Sequence, residues 1–285
     1  MTDACTNAGL APQDDAARRW DVLLERLRGL GELTVALSGG VDSRFLAHAA
    51  LRAGTVPELV HVRGPHVAPA ETAYALRWAR RQELSARVLD LDPLVLPEVA
   101  AGHRERCYAC KSFLFRRIAD CARGALCDGS NASDAAQFRP GLRALRELGV
   151  LSPLAEAGLT KDDIRRLGRQ TGLEWNDQQS RACLLTRLPY GMPPEPGLLA
   201  RLAEGERVVE GILHQAGFAD APFRLRVSDT DCYELHVAAA SLPRHVIEQL
   251  IGTLHGMGFP SSTVRCMSAV SGYFDAAGPA RNSHP

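Results

Sequence analysis

The chain has 285 residues, 46% of them apolar, and its 33 lysine and arginine residues balance 33 aspartate and glutamate residues. At about 100–200 residues per domain this is one large or two modest units, and the zero net charge argues against a general nucleic-acid or membrane-surface binder while leaving room for a local basic pocket. No apolar run approaches the ~20 residues of a membrane span, and the polar opening MTDACTNAGLAPQDDAARRW does not read as a signal peptide.

A cytoplasmic protein without a membrane partner is therefore expected. Its eight cysteines then point to metal binding or catalysis before structural disulfides. Residues 1–14 read as a loose tail. Leucines at helical spacing make 15–30 an amphipathic helix. ELTVAL (32–37) predicts a strand, SRFLAHAALRAG (43–54) a helix stopped by Gly54, and PELVHVRG (57–64) a second strand. A helix over 69–84 and a third strand over 86–92 follow. The stretch 103–124 reads as a helix ended by glycine, and 124–134 as a strand that breaks into a polar loop. In 158–173, Thr160 and Asp163 are spaced as an N-terminal capping box.

Alternating strands and helices predict an α/β domain over 15–191, a parallel doubly wound sheet that binds ligands at the carboxyl ends of its strands. After the proline-rich MPPEPG (192–197) the texture changes. A helix (198–216), two alternating strands (FRLRVSD and CYELHVA), a helix (243–257) and a last strand near 262–270 predict a smaller α+β domain over 192–275. Residues 276–285 read as a disordered tail.

The first strand runs into SGGVDS, residues 38–43. Glycines at a strand-to-helix junction let backbone approach an anion, and the free amides and dipole at the helix start hold it. Ser38 and Ser43 add hydroxyl donors, and Asp42 either orients the loop or helps hold Mg²⁺. The alternative is a tight turn with a solvent-facing cap. The string lacks the lysine of GxxxxGK[ST] and differs from GxGxxG. It resembles the pyrophosphate loop of the PP-loop, or N-type, ATP pyrophosphatases. That resemblance implies that Ser38, Gly39, Gly40, Val41, Asp42 and Ser43 grip the leaving pyrophosphate of ATP while a carboxylate or carbonyl is adenylated.

In ERCYACKSFLF, Cys107 and Cys110 are three apart and share a helix face. Cys183 lies far along the chain in SRACLLTRLPYG. A C-x-x-C pair with one distant cysteine can hold three irons of a [4Fe–4S] cluster and leave the fourth open. A zinc site with His103 as a fourth ligand, a redox pair of Cys107 and Cys110, and plain packing are the alternatives. Core packing is the expectation for Cys121, Cys127, Cys232 and Cys266, while Cys5 falls in the tail.

SGGVDS, RCYACK, DGSNASD with FRPGLRAL, and SRACLLTRLPYG occur in the order and context of the LarE family, over about residues 20–230. The chain resembles these ATP-dependent sulfur transferases of nickel-pincer cofactor synthesis. The resemblance implies adenylation of a nucleotide-like carboxylate acceptor and sulfur delivery at Cys183 to give a thiocarboxylate. The sulfur comes either from the cysteine itself, leaving dehydroalanine, or from a [4Fe–4S] cluster on Cys107, Cys110 and Cys183 fed by a sulfide donor. It also implies Asn131 and Asp134 beside the nucleotide. Arg139, Arg187, Glu210 and the pair Arg224 and Arg226 fall on the acceptor side, and homo-oligomers occur in the family.

Three features depart from the family pattern. VSGYFDAAG (270–278) stands where a Gly-Arg-Gly-like stretch is usual, MPPEPG carries a short insertion, and CYELHVA lacks the family's usual basic residue in its alternation. They put the acceptor's identity in doubt. The rival functions are an amidating PP-loop synthetase, which needs none of the three cysteines, a tRNA thiolase, which wants a basic RNA-binding surface, and a nucleotide-sensing module that releases no pyrophosphate.

Overall fold

The computed structural model describes residues 12–134, 140–176 and 183–276. Helix α1 (Pro12–Leu30) begins earlier than its leucine pattern suggests. β1 (Leu33–Ala36), α2 (Val41–Arg52), β2 (Glu58–Arg63), α3 (Pro69–Arg81) and β3 (Ala86–Asp90) then alternate as predicted. A 3₁₀ turn (Pro93–Val95) and a short α4 (Pro97–Ala100) lead to α5 (Arg106–Ala119). The latter starts after the predicted 103 because His103 Nδ1 accepts the Glu105 amide at 3.3 Å, which holds residues 103–105 in a turn, and it ends before the predicted 124. β4 (Ala125–Cys127) follows, then α6 (Pro140–Glu147), α7 (Pro153–Glu156) and α8 (Lys161–Thr171).

All four strands are parallel, in the order β3-β2-β1-β4. Leucines of α1 (Leu23, Leu27) pack with Phe45 and Leu46 of α2 and Trp78 of α3 in one core. Val60 of the sheet packs with Phe115, Ile118 and Leu145 of α5 and α6 in another. Full burial of each such side chain contributes about 1.5–3 kcal/mol, so helices on separate cores hold the short strands in register. The chain builds β1, β2 and β3 outward in one direction and then returns to lay β4 on the free side of β1. The carboxyl ends of β1 and β4 thus form the switch point where open α/β sheets bind ligands.

The second unit comprises α9 (Pro196–Gln215), β5 (Phe223–Asp229), β6 (Cys232–Val237), α10 (Arg244–Gly256), β7 (Ser262–Cys266) and α11 (Tyr273–Ala276). β5 and β6 pair antiparallel, whereas β7 lies parallel to β6. β7 ends at Cys266, before the predicted 270, because its partner β6 ends at Val237 opposite it. Cys127 is buried as expected and Cys121 and Cys232 are half-buried, but Cys266 is exposed on the edge strand, so core packing is corrected there. Cys5 lies outside the described residues. Among the described residues no helix is long and apolar enough to cross a membrane.

The capping box forms as predicted. Thr160 Oγ1 accepts the Asp163 amide at 3.2 Å, and Asp163 Oδ2 accepts the Thr160 amide at 3.1 Å. Arg19 of α1 adds a hydrogen bond to the same carboxylate at 2.9 Å, tying α1 to α8. Burial alone would raise the Asp163 carboxyl, but the Thr160 and Arg19 donors outweigh it and hold it below the ordinary carboxylate value. A depressed folded-state pKa stabilises fully above the unfolded value of about 3.9 and is lost as pH falls through the folded value. Urea unfolding of Asp163→Asn is therefore expected to show a loss of about 1 kcal/mol at pH 7, and the gap to the unaltered protein should narrow toward pH 3. A gap independent of pH would contradict this.

Candidate active site

The sequence SGGVDS forms the turn between β1 and α2. Gly39 adopts φ +87°, and a Cβ there would stand 3.1 Å from the Ala75 Cβ and 3.3 Å from the Glu71 carbonyl of α3. Gly40 is the residue before the first helical turn and carries no side-chain cap. The serines brace the turn from within: Ser43 Oγ accepts the Ser38 amide at 3.2 Å, and Ser38 Oγ accepts the Gly40 amide at 3.3 Å. Asp42 lies in the first turn of α2. Arg44, the residue after SGGVDS, was not singled out in the sequence. Fully buried, it donates from Nε to the Gly39 carbonyl at 3.1 Å and from its terminal nitrogens to the Glu174 and Trp175 carbonyls at 2.8 and 3.0 Å. Desolvation lowers its pKa from the usual arginine value, and the Tyr74 ring lies against it. Arg44 thus holds the left-handed glycine in place from behind.

The loop after β4 lies against this turn. A Cβ on Gly129 would stand 2.8 Å from the Ser43 amide nitrogen, so only glycine lets the two loops approach this closely. Asp128 accepts from Ser130 and Ser152 at 2.5 and 2.7 Å. Asp134 Oδ2 accepts the Asn131 amide at 3.1 Å, and Lys161 Nζ lies 4.0 Å from its other oxygen. Asp128 and Asp134 border the cavity described below, as do Ser38, Asp42 and Ser43. Asn131 is buried and does not border it: its Oδ1 accepts the Ser133 amide at 3.0 Å and shapes the loop instead.

Cys107 and Cys110 occupy the first turns of α5 and share a face. Arg106 ties that end of the helix to the stretch after Cys183, donating to the Leu188 and Pro189 carbonyls at 2.8 and 3.2 Å. The His66 carbonyl accepts the Leu184 amide at 2.9 Å and holds the same stretch against the end of β2. All three cysteines border one cavity. Burial raises each thiol, and the neighbouring thiols push Cys110 and Cys183 further up. Cys183 presents surface to the cavity, yet the protein around it is dense enough that desolvation carries its thiol to about 11. Among the described residues no three His, Cys, Asp or Glu side chains converge as a single metal ion requires. His103 therefore does not complete a zinc site there. Three thiols bordering one cavity are the donor type that a [4Fe–4S] cluster takes.

Arg187 is 1% exposed and forms a two-pronged ion pair with Glu206 of α9, at 2.8 and 2.7 Å. Its Nη1 also donates to the Cys183 carbonyl at 3.3 Å. Glu206 Oε1 in turn accepts the Leu225 amide of β5 at 2.9 Å. Arg187 therefore braces the cysteine loop against the second unit while still bordering the cavity. Glu210, one turn further along α9, borders it too, as does Arg224 of β5. Arg226 is buried and does not. Arg139 lies outside the described residues. Sequence reading missed Glu206, although its spacing of four from Glu210 places both on one helical face. It also missed Lys111, His61 and His66, all on the cavity wall. His61 is held by the Leu37 carbonyl and Thr72 at 2.8 and 2.9 Å, and burial drives His66 down to about 4, so it is neutral.

The cavity these elements enclose measures about 450 Å³ and runs from the SGGVDS turn to the three cysteines and on to Glu210 and Arg224. No family model matches the chain. It is 30% identical over 237 residues to the uncharacterized protein slr1717 of Synechocystis sp., covering 80% of this chain and 84% of that one. It is 28% identical over 163 residues to the uncharacterized protein MJ0830 of Methanocaldococcus jannaschii, covering 56% and 62%. It is also 28% identical over 197 residues to the pyridinium-3,5-bisthiocarboxylic acid mononucleotide synthase of Lactiplantibacillus plantarum, covering 67% and 71%. With its parallel α/β sheet, its smaller mixed-sheet unit and these relatives, the chain belongs to the LarE-like family.

Proposed function

We propose that the chain is an ATP-dependent sulfur transferase that adenylates a carboxylate and converts it to a thiocarboxylate, in the synthesis of a nickel-pincer type of cofactor. The observation that carries this reading is the single cavity bordered both by the pyrophosphate turn and by Cys107, Cys110 and Cys183. An adenylating site alone has no use for the thiols, and a thiol site alone has no use for the turn. The relative named as a pyridinium-3,5-bisthiocarboxylic acid mononucleotide synthase supports a pyridinium carboxylate mononucleotide as the acceptor class.

In this reading the triphosphate of ATP lies on the amides of residues 39–43, with the positive end of α2 behind it. Asp42, with Asp128 or Asp134 across the turn, would hold Mg²⁺, which neutralises phosphate charge when bound. An acceptor carboxylate oxygen attacks the α-phosphorus, the bond to the β-phosphate oxygen breaks, and pyrophosphate leaves with its charge held by the loop amides. A sulfur nucleophile at Cys183 then attacks the acyl carbon and AMP departs with the bridging oxygen; cleavage of the sulfur's remaining bond to the protein, the Cβ–Sγ bond (leaving dehydroalanine) where the sulfur is the cysteine's own, would free the thiocarboxylate. Cys107, Cys110 and Cys183 would hold a [4Fe–4S] cluster, which can carry an exogenous sulfide on its open iron. Arg187 and Arg106 fix the Cys183 stretch throughout, and the neutral His66 adds no charge to the wall.

ATP–pyrophosphate exchange with nicotinic acid mononucleotide is the direct test. Ser38→Ala and Asp42→Ala are expected to lower exchange at least about a hundredfold. Gly129→Ala should do the same in a protein that still folds, because its Cβ displaces the Ser43 amide. Cys183→Ala should keep exchange and lose the thiocarboxylate product seen by mass spectrometry. Product formation by Cys183→Ala, or exchange by Ser38→Ala at the full rate, contradicts the reading. A Cys107, Cys110 and Cys183 triple variant with full acceptor turnover would instead indicate an amidating synthetase.

Anaerobically purified protein is expected to be brown, with about four irons per chain that are lost when any one of the three cysteines is replaced. Colourless protein that cannot be reconstituted would direct attention to sulfur loss at Cys183 itself, read as a mass decrease after one turnover.

A further inference from the structure

Arg106 opens α5, one residue before Cys107, and is 3% exposed. A buried charge is costly unless an opposite charge meets it. Arg187, buried beside Cys183, has such a partner in Glu206 at 2.7 Å. Arg106 pairs with no carboxylate among the described residues. Its hydrogen bonds run to the Leu188 and Pro189 carbonyls, which carry only partial charge, and its guanidinium carbon lies 4.7 Å from the centre of the Tyr190 ring. The acids nearby are engaged elsewhere: Glu105 pairs with Arg143 at 2.6 Å, and Asp275 is exposed and accepts from the Tyr190 hydroxyl at 2.5 Å. What the guanidinium does meet is sulfur. Burial raises the Cys107 and Cys183 thiols, and Arg106 opposes it at both, by its charge and, at Cys107, by a hydrogen bond to the thiol as well. Lys111 also pulls Cys107 down, but Lys111 is half-exposed, and water weakens the reach of its charge.

We propose that Arg106 is the built-in counter-charge of a [4Fe–4S] cluster on Cys107, Cys110 and Cys183, and that it raises the reduction potential of that cluster. This rests on the reading of the three thiols as cluster ligands. Thiolates hold such a cluster, and its reduction from the 2+ to the 1+ state brings in one electron and one further negative charge. A guanidinium fixed beside the thiolates stabilises the reduced state more than the oxidised one, and hydrogen bonds to the sulfurs act in the same direction. The two backbone carbonyls and the Tyr190 ring keep the guanidinium in that place. Arg106 would equally offset the charge of an exogenous sulfide on the open iron.

The test is a redox titration of the full chain after anaerobic reconstitution with iron and sulfide. Dithionite is the reductant, and the paramagnetic resonance signal of the reduced cluster reads the midpoint potential. Arg106→Gln removes the charge and is expected to shift the equilibrium about tenfold toward the oxidised cluster, a midpoint about 59 mV lower for one electron. Arg106→Lys keeps a charge beside Cys107 and should recover most of that shift, although it lacks the fork that grips the Leu188 and Pro189 carbonyls. An Arg106→Gln cluster at the unaltered potential overturns the inference, as does an Arg106→Lys cluster that shifts as far as Arg106→Gln. Where Arg106→Gln holds no iron, the iron content of Arg106→Lys decides. Retained iron supports the counter-charge, and an equal loss overturns it, leaving the backbone contacts as the whole role of the residue. If the unaltered chain takes up no cluster, the cluster reading falls and this inference falls with it. Failure of the Arg106 comparisons alone leaves that reading standing.

Discussion

The pairing of β1 with β2 on one side and β4 on the other is the constraint on which the site depends. A parallel strand needs a crossover to reach its neighbour, and the chain uses two of them to move outward to β3 before returning to β4. The return leaves two loops side by side at the carboxyl ends of β1 and β4. One brings the helix-start amides of α2, and the other brings Asp128 and Asp134. The fit is tight enough that Gly129 passes the Ser43 amide without room for a side chain. Helix-start amides and carboxylates are thereby set face to face, the arrangement on which the proposed adenylation relies.

Bringing sulfur to that point is a separate problem, because Cys107, Cys110 and Cys183 come from segments more than seventy residues apart. Two buried arginines solve it with backbone contacts. Arg106 reaches from α5 to the Leu188 and Pro189 carbonyls, and Arg187 reaches from the cysteine stretch to Glu206 and back to the Cys183 carbonyl. A buried ion pair of the Arg187–Glu206 kind is expensive to break, about 3–5 kcal/mol, because removal of one partner strands the other charge. Glu206 also accepts the Leu225 amide, so the same pair docks β5. The second unit is thus attached to the first through the residues that hold the sulfur in place.

The alternation of strands and helices, the glycine turn after β1 and the capping box were legible in the sequence because each depends on local spacing or on a few residue types at fixed offsets. Helix α6 was not read, since the FRPGLRAL string served as a motif and its Leu142, Ala144 and Leu145 make too short a run to show a period. The cavity walls were legible only in part. Cys107, Cys110 and Cys183 stood out as a rare residue type with a recognisable spacing. Arg44, Arg106, His61 and His66 did not, because nothing local separates an arginine that clamps a carbonyl from one on the surface. The Arg224 and Arg226 pair shows the same limit from the other side. Strand periodicity put both on one face, but Arg226 donates to the Val270 carbonyl, a contact set 44 positions later in the chain.

An acyl-adenylate is readily hydrolysed, so in the proposed reaction the sulfur must reach the acyl carbon before water does. Val60, Val62, Val67, Leu114 and Phe115 supply apolar wall to the cavity that the SGGVDS turn and the thiols share. At about 450 Å³ the cavity lies within the range of enclosed ligand sites, where most of a ligand's surface is removed from solvent. The same apolar surroundings raise the thiols. A wall that shields the adenylate from water therefore also withholds free thiolate until a positive partner stabilises it. Shielding of the adenylate and restraint of the sulfur thus follow from one physical property of the pocket, its low polarity beside the cysteines.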